Sequence, residues 1–162
     1  MSRTAMLPDI TLATLPAGSL LDGYVRQQAY VDCFAADVAG TVTLGQLITA
    51  FYNSRVFRFE RWLLGALLGK TASNADVARL ASAEVERFSA WTVEARQDHQ
   101  ILLCDFQGRT RSWLMVQPNA QGTRVYFGSA VVKPGDPLFR LLLGFHRSYS
   151  RALLKSAVKA LA

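Results

Sequence analysis

The second half of the chain changes its hydrophobic period from 3.6 to 2, and this change most restricts the folds that it can adopt. Apolar and polar residues alternate over four stretches, namely residues 85–96, 99–106, 109–117 and 123–132. The pair Gln107-Gly108 and the segment Pro118–Gly122 supply short turns between the later stretches. Strands joined by turns this short pair antiparallel. We therefore predict an antiparallel β-meander.

A long amphipathic helix is predicted directly after the meander. Pro137 suits the first turn of a helix, which can continue for about 25 residues. Its apolar stripe recurs at helical spacing and comprises Leu138, Leu142, Phe145, Tyr149, Leu153 and Ala157. The predicted fold class is therefore α+β, with a curved antiparallel sheet wrapped on a long C-terminal helix.

The first half of the chain begins irregularly. Residues 1–22 mix Pro, Gly, Thr and Leu without a clear period and are predicted to be an irregular lead-in. Residues 24–38 carry the apolar content of a strand, which Gly40 ends. No repeat, low-complexity tract or linker divides the sequence, so we expect residues 1–162 to form a single domain.

Helices are predicted between this strand and the meander. Thr43 with Gln46, and Ser73 with Asp76, have the pattern of capping boxes, in which two side chains satisfy the free amides of a first helical turn. A further helical segment is expected over residues 57–69, where Gly69 suits the position after the last turn.

Charge and hydropathy restrict the function classes. The formal net charge is +6, but the basic residues are spread along the chain, which does not favour a nucleic-acid-binding protein. The longest apolar run, Trp62–Leu68, has seven residues, far fewer than the roughly 20 that span a bilayer. With no signal-peptide pattern at the start, we expect a cytoplasmic protein without a transmembrane segment.

Metal, cofactor and disulfide motifs are not found in the sequence. Cys33 and Cys104 lie in separate apolar strands and are expected to be reduced, inert thiols. His99 and His146 lie in different elements, and neither has a second ligand at metal spacing. Glycine-rich phosphate loops are absent too. We expect no metal and no cofactor.

Three titratable residues are candidates for acid or base chemistry. Asp32 and Asp105 interrupt apolar strands, and His146 lies in the long helix. Alternation can turn both aspartates to solvent, and His146 can simply bond to a neighbouring loop. If any of the three faces the interior, it becomes a candidate catalytic group.

A strip of large side chains is the candidate ligand-binding surface. Alternation places Arg109, Arg111, Trp113 and Met115 on one side of a strand, which suits an amphipathic carboxylate. We expect Trp113 and Met115 to face the stripe of the long helix. The full predicted set is Phe34, Phe51, Trp91, Arg109, Arg111, Trp113, Met115, Phe127, Leu142, Phe145 and Tyr149.

A row of basic residues follows the long helix at intervals of four: Arg147, Arg151, Lys155 and Lys159. Such a row could meet phosphates or lipid head groups. It is also what a helix buried on one side needs as its solvated surface, because cations near the C-terminus suit the helix dipole.

Five segments carry a family resemblance: Tyr30–Phe34, Phe51–Leu68, Asp105–Met115, Tyr126–Ser129 and Gly144–Arg147 with the helix that follows. They resemble a bacterial family of unknown function within the helix-grip superfamily of START domains and polyketide cyclases. The resemblance implies a helix-grip fold and a cavity between sheet and helix. Relatives often carry a histidine in the third meander strand, and Thr110 stands at that position here.

These observations lead to three functional expectations. The first is a non-enzymatic binder or carrier of a small apolar or amphipathic molecule. The second is a cyclase- or hydratase-like enzyme that uses an acid–base residue in the same cavity. The third is an interaction or membrane-surface module that uses the basic row. The oligomeric state is left open by the sequence.

Overall fold

The predicted meander is the larger part of a mixed-length antiparallel sheet. A computed structural model of the chain describes residues 8–58, 69, 72–132 and 137–162, with the backbone alone for residues 137–145. Within these residues the sheet has seven strands, in the order β1-β2-β7-β6-β5-β4-β3. The strands are β1 Thr11–Leu12, β2 Tyr30–Ala39, β3 Arg87–Phe88, β4 Trp91–Gln97, β5 Gln100–Asp105, β6 Thr110–Asn119 and β7 Gly122–Val131.

Four helices whose two ends are both described accompany the sheet. They are α1 Asp22–Arg26, α2 Leu44–Tyr52, α3 Asn74–Ala81 and α4 Pro137–Leu161. The predicted bounds of the long C-terminal helix are confirmed, and so is the α+β class. Within the described residues, no helix combines the length and the apolar content needed to span a membrane.

Both predicted capping boxes are confirmed. The Thr43 hydroxyl accepts the amide of Gln46 at 3.2 Å, and the Gln46 side chain accepts the amide of Thr43 at 2.8 Å. Ser73 and Asp76 exchange the same two bonds. Residues 55–58 are helical as well, whereas Trp62, Leu63, Leu67 and Leu68 of the predicted segment 57–69 lie outside the described residues.

Two strand predictions are wrong in their bounds. The strand expected over residues 24–38 begins at Tyr30, because α1 occupies residues 22–26 and Gln28 has a left-handed φ of 58°. The strand expected over residues 85–96 is divided, because Ser89 has a φ of 52° and turns the chain between β3 and β4. Turn geometry overrides alternation at both places.

The side of the sheet that faces α2 and α4 holds the larger core. One row of cross-strand partners on this side is entirely apolar and buried, namely Phe34, Phe127, Leu114 and Ile101. Leu153 and Leu154 of α4 and Ile48 and Phe51 of α2 belong to the same buried cluster. We call these four strand residues the apolar row.

The opposite, outer side of the sheet is covered by the segment that precedes β2. Trp113, Met115 and Tyr126 lie on this side, in one cluster with Leu21. The expectation that Trp113 and Met115 face the long helix is therefore wrong. Residues 113–116 are all buried and apolar, so alternation divides them into two pairs but does not show which pair faces the helix. In the structure, Leu114 and Val116 face the helix.

Polar bonds hold the covering segment in place. The buried Gln100 side chain accepts hydrogen bonds from the amide of Leu20 and the indole of Trp113, both at 2.9 Å, and donates to the carbonyl of Gly18 at 3.0 Å. Leu21 packs directly over Gly128, where a Cβ would lie 2.8 Å from Leu21 Cδ1. Glycine is therefore required beneath this leucine.

Candidate functional site

The helix-facing side of the sheet becomes polar one step beyond the apolar row. Asp32 of β2, Ser129 of β7 and Ser112 of β6 are cross-strand partners in adjacent strands. We call these three residues the polar row. Side chains two positions apart along a strand share a side and are about 7 Å apart. The polar row therefore lies directly beside the phenyl rings of Phe34 and Phe127.

Asp32 is buried and hydrogen-bonded in the polar row. Its side chain is 2% exposed. Oδ1 accepts the backbone amide of Ser129 at 3.0 Å and the Ser129 hydroxyl at 2.6 Å, while Oδ2 accepts the Tyr30 hydroxyl at 3.3 Å. Three donors offset the cost of burying a carboxylate.

His146 projects from α4 onto the polar row. Its Nε2 lies 2.8 Å from the Ser129 hydroxyl and 3.8 Å from Asp32 Oδ2. The imidazole side chain is 30% exposed, so one side of the ring reaches solvent while Nε2 faces the buried serine. Asp32, Ser129 and His146 thus form a hydrogen-bonded chain that leads from the interior to the surface, and we call it the Asp32–Ser129–His146 site.

This order differs from that of a serine-hydrolase triad. In such a triad the aspartate bonds to the histidine, and the histidine takes the proton of the serine. Here the carboxylate bonds to the serine at 2.6 Å and the serine lies between the other two groups. The arrangement fixes the histidine ring and does not activate Ser129 as a nucleophile.

Tyr30 and Arg147 form the rim beside the site. The Arg147 guanidinium donates to the Tyr30 hydroxyl at 3.0 Å and lies 5.8 Å from the centre of its ring. Burial raises the pKa of Tyr30 above its ordinary value, while the bond from Arg147 acts in the opposite direction and the Asp32 carboxylate raises the pKa further. The phenol therefore stays a hydrogen-bond donor to Asp32.

Three hydroxyls without a hydrogen-bond partner among the described residues lie on β6 and α4, the strand and the helix beside the site. Ser112 of the polar row and Thr110, two residues earlier in β6, are half-buried, and neither hydroxyl forms a hydrogen bond within the described part of the chain. Ser150, one helical turn after His146, is 1% exposed, and its hydroxyl also has no partner among the described residues. Polar groups left unpaired beside a half-exposed imidazole are what a binding site offers to a ligand.

The sequence candidates for acid–base chemistry separate here. Asp32 and His146 are brought together, with Ser129 between them. Asp105 is not part of this site, because its carboxylate accepts the amides of Arg109 and Thr110 at 2.7 and 3.2 Å and closes the β5–β6 turn. Its place in the sequence is explained by that turn.

The predicted ligand-binding residues are divided between the two sides of the sheet. Phe34, Phe51 and Phe127 are buried in the core on the helix side, and the half-buried Trp91 and Tyr149 pack against that core. Arg111 is on the outer side, where it donates to Glu94 at 2.5 Å and to Tyr24 at 2.8 Å, and Arg109 is exposed in a turn. The side chains of Leu142 and Phe145 lie outside the described residues.

The basic row of α4 is exposed at all four positions, namely Arg147, Arg151, Lys155 and Lys159. Arg147 is bonded to Tyr30, and Arg151 lies 3.7 Å from the exposed carboxylate of Asp9. Two of the four cations therefore already have partners within the chain.

Ser129 is the site residue that sequence reasoning missed. A serine in a strand usually signals only a solvated position. The available signal was its spacing, because Ser129 is two residues after Phe127 and therefore shares the side of an apolar core residue.

An open groove lies apart from this site. It has a volume of about 770 Å³ and runs between α2, α3 and the end of α4, where small residues such as Gly45, Ala50, Ala78 and Ala81 line it. None of the predicted ligand-binding residues whose side chains are described lines this groove. The described residues also contain no group of three or more His, Cys, Asp or Glu side chains that could hold a metal ion.

Comparisons with known proteins identify no family. No family model and no curated protein matches the sequence. A crystal structure of a Rhodobacter sphaeroides protein is 13% identical, with a TM-score of 0.42, over 95% of this chain and 100% of that chain. The solution structure of CalU16 from Micromonospora echinospora is 11% identical, with a TM-score of 0.41, over 97% of this chain and 76% of that chain.

Proposed function

We propose that the protein binds a small apolar or amphipathic molecule whose polar group lies at the Asp32–Ser129–His146 site. We propose, too, that the sheet and α4 form a helix-grip fold like that of START domains and polyketide cyclases. The observation that carries the functional proposal is the half-exposed His146, bonded to Ser129 above a carboxylate that is 2% exposed.

The position of this site supports an amphipathic ligand. The polar row and the apolar row are neighbours on one side of the sheet. A ligand that reaches the hydroxyl of Ser112 would have Leu114 about 7 Å away in β6, and Phe127 lies at the same distance from Ser129 in β7. Pockets for small molecules commonly combine an apolar wall with a few convergent polar groups.

Probe binding tests the proposal. We expect N-phenyl-1-naphthylamine, a neutral apolar fluorophore, to bind saturably to the purified chain. Ser112→Phe places a ring in the polar row and should abolish binding, whereas Thr92→Phe, at an exposed position of β4, should leave binding unchanged. Circular dichroism checks that both variants fold. Absence of saturable binding by the natural chain, or unchanged binding by Ser112→Phe, would reject the proposal.

A second candidate is an acid–base enzyme of the cyclase or hydratase kind. It is favoured by the hydrogen bond between His146 Nε2 and Ser129, which leaves the other ring nitrogen available as a base. The base would take a proton from a carbon next to a carbonyl, and the electrons of that C–H bond would move onto the carbonyl oxygen. The proton would then return from the imidazolium to the product.

Hydrogen exchange at carbon tests this second candidate. In D₂O, the natural chain should speed the exchange of the α-protons of 2-tetralone above the buffer rate, as followed by proton NMR. His146→Phe should return the rate to that of buffer, whereas His99→Phe, at an exposed turn, should not. Equal rates with and without protein would exclude this chemistry for such ketones.

A further inference from the structure

We infer that the Asp32–Ser129–His146 site selects a ligand that donates a hydrogen bond, an apolar alcohol or phenol, over a carboxylate of the same shape. The inference rests on the proposed binding function and specifies the polar group of the ligand. His146 Nδ1 is the selecting atom.

The position of one proton follows from the bonds of Asp32. Oδ1 already accepts the backbone amide of Ser129 at 3.0 Å, and a backbone nitrogen can only donate. A carboxylate oxygen has no hydrogen to donate, so the hydrogen in the 2.6 Å contact between Oδ1 and Ser129 Oγ comes from the serine. A serine hydroxyl has a single hydrogen, so Oγ must act as the acceptor in its other contact.

The tautomer of His146 follows from the serine. Nε2 lies 2.8 Å from Ser129 Oγ, and since Oγ accepts in this contact, Nε2 carries the hydrogen. In a neutral imidazole the other nitrogen is then an acceptor with a free lone pair. Within the described part of the chain Nδ1 has no hydrogen-bond partner, and the ring is 30% exposed. Nδ1 therefore offers a fixed acceptor to a ligand.

The charges near His146 also favour a neutral hydrogen-bond donor over a carboxylate. The Asp32 carboxylate is 2% exposed and lies one serine away from the ring, so solvent screens it weakly. A second carboxylate at Nδ1 would face a lone pair and a buried like charge. Among the described side chains, Arg147 is the cation next to the ring, but it is exposed and its Nε is used by Tyr30. Solvent therefore weakens its attraction for an anion.

The two arginines that would have favoured a carboxylate lie elsewhere. Arg111 is on the outer side of the sheet in a salt bridge with Glu94, and Arg109 is exposed in the β5–β6 turn. The carboxylate preference expected from the sequence therefore loses its basis. Ser112 and Thr110, beside the site, can each either donate to or accept from a ligand hydroxyl.

Three naphthalenes that differ in one group test the inference. 2-Naphthol donates a hydrogen bond, 2-methoxynaphthalene cannot donate one, and 2-naphthoate carries a charge. In competition with N-phenyl-1-naphthylamine at pH 8, we expect 2-naphthol to bind about tenfold more tightly than either of the others, since one hydrogen bond is typically worth about that factor or somewhat less. His146→Phe should remove the difference between 2-naphthol and 2-methoxynaphthalene, whereas His99→Phe should keep it.

The outcomes separate the two proposals. Equal binding of 2-naphthol and 2-methoxynaphthalene, or tighter binding of 2-naphthoate, overturns the selection of a donor but leaves the binding function in place. Absence of binding of the fluorophore itself overturns both. The comparison among ligands uses the natural chain, so it decides the inference even if His146→Phe fails to fold.

Discussion

The two sides of the sheet differ in how completely their polar groups are hydrogen-bonded. On the outer side, the buried Gln100 side chain has a partner for each polar atom, including Gln97 at 2.7 Å. On the helix side, Ser112 and Ser150 have no hydrogen-bond partner within the described residues. Complete pairing identifies the outer side as structural, because a buried polar group without a partner costs stability. Incomplete pairing beside the partly exposed His146 is the basis on which we propose that the helix side binds a ligand.

The largest effect is expected from the outer side. Trp113→Ala removes a fully buried indole and should lower the free energy of unfolding by about 4 kcal/mol. Urea denaturation measures the loss. Trp91→Ala is the control, since Trp91 is only partly buried and should cost clearly less. Equal losses at the two tryptophans would contradict the view that the outer cluster is a closed core.

The next effect concerns the bonds that hold the covering segment. Gln100→Leu leaves the Trp113 indole, the Leu20 amide and the Gly18 carbonyl without partners and should cost about 3 kcal/mol. Amide hydrogen exchange at Leu20 should quicken as well. Gln107→Leu makes the same change at an exposed turn position and should stay within about 0.5 kcal/mol of the natural chain. An unchanged Leu20 amide in Gln100→Leu would show that apolar packing alone holds the segment.

Substitutions on the helix side should lower stability less, and the two serines of the polar row should differ in their effect. Ser129→Ala removes a hydrogen bond to a buried carboxylate and should cost about 2 kcal/mol. Ser112→Ala removes no bond within the described residues and should change stability by less than about 0.5 kcal/mol. Urea denaturation of the two variants measures the difference. If Ser112→Ala costs as much as Ser129→Ala, the polar row is structural at both positions.

The smallest effect concerns Cys33, which faces the outer side. Burial, and then the neighbouring Asp32 charge, raise the pKa of this thiol from 9.0 to about 12. Between these values the unfolded chain loses a proton that the folded chain keeps, so stability falls as the pH rises. From pH 8 to pH 10, the free energy of unfolding of the natural chain should fall by about 1 kcal/mol more than that of the Cys33→Ala variant. Parallel urea titrations at the two pH values measure this difference, and identical losses would mean that the thiol ionises in the folded state.

Local patterns predicted the elements of this fold well. The two capping boxes and the helix beginning at Pro137 depend on residues close together in sequence, and the structure has them where they were expected. The predicted strand bounds were wrong at Gln28 and Ser89, which adopt left-handed conformations. Glycine or asparagine at these positions would have indicated a turn in the sequence. Such positions depend on tertiary contacts that a local pattern does not contain.

The candidate site was only half predictable, for a similar reason. Asp32 and His146 were candidates because a carboxylate and an imidazole are conspicuous in apolar elements. Ser129 and the separation of Asp105 from the site depend on strand register and on a turn, neither of which appears in the spacing of residues. The assignment of Trp113 to the helix side was wrong. Residues 113–116 are all buried and apolar, so their alternation does not show which two of them face the helix.

The bond between Asp32 and Ser129 joins residues 97 positions apart, and His146 comes 17 positions after Ser129. Closing a loop of this length must precede any gain from the contact, which makes such pairs late and slow to form. We therefore expect the complete site to form only when β2 pairs with β7. Ligand affinity should consequently appear in one step, together with the pairing of β2 and β7, so a ligand that binds here would report that the first and last parts of the chain have met.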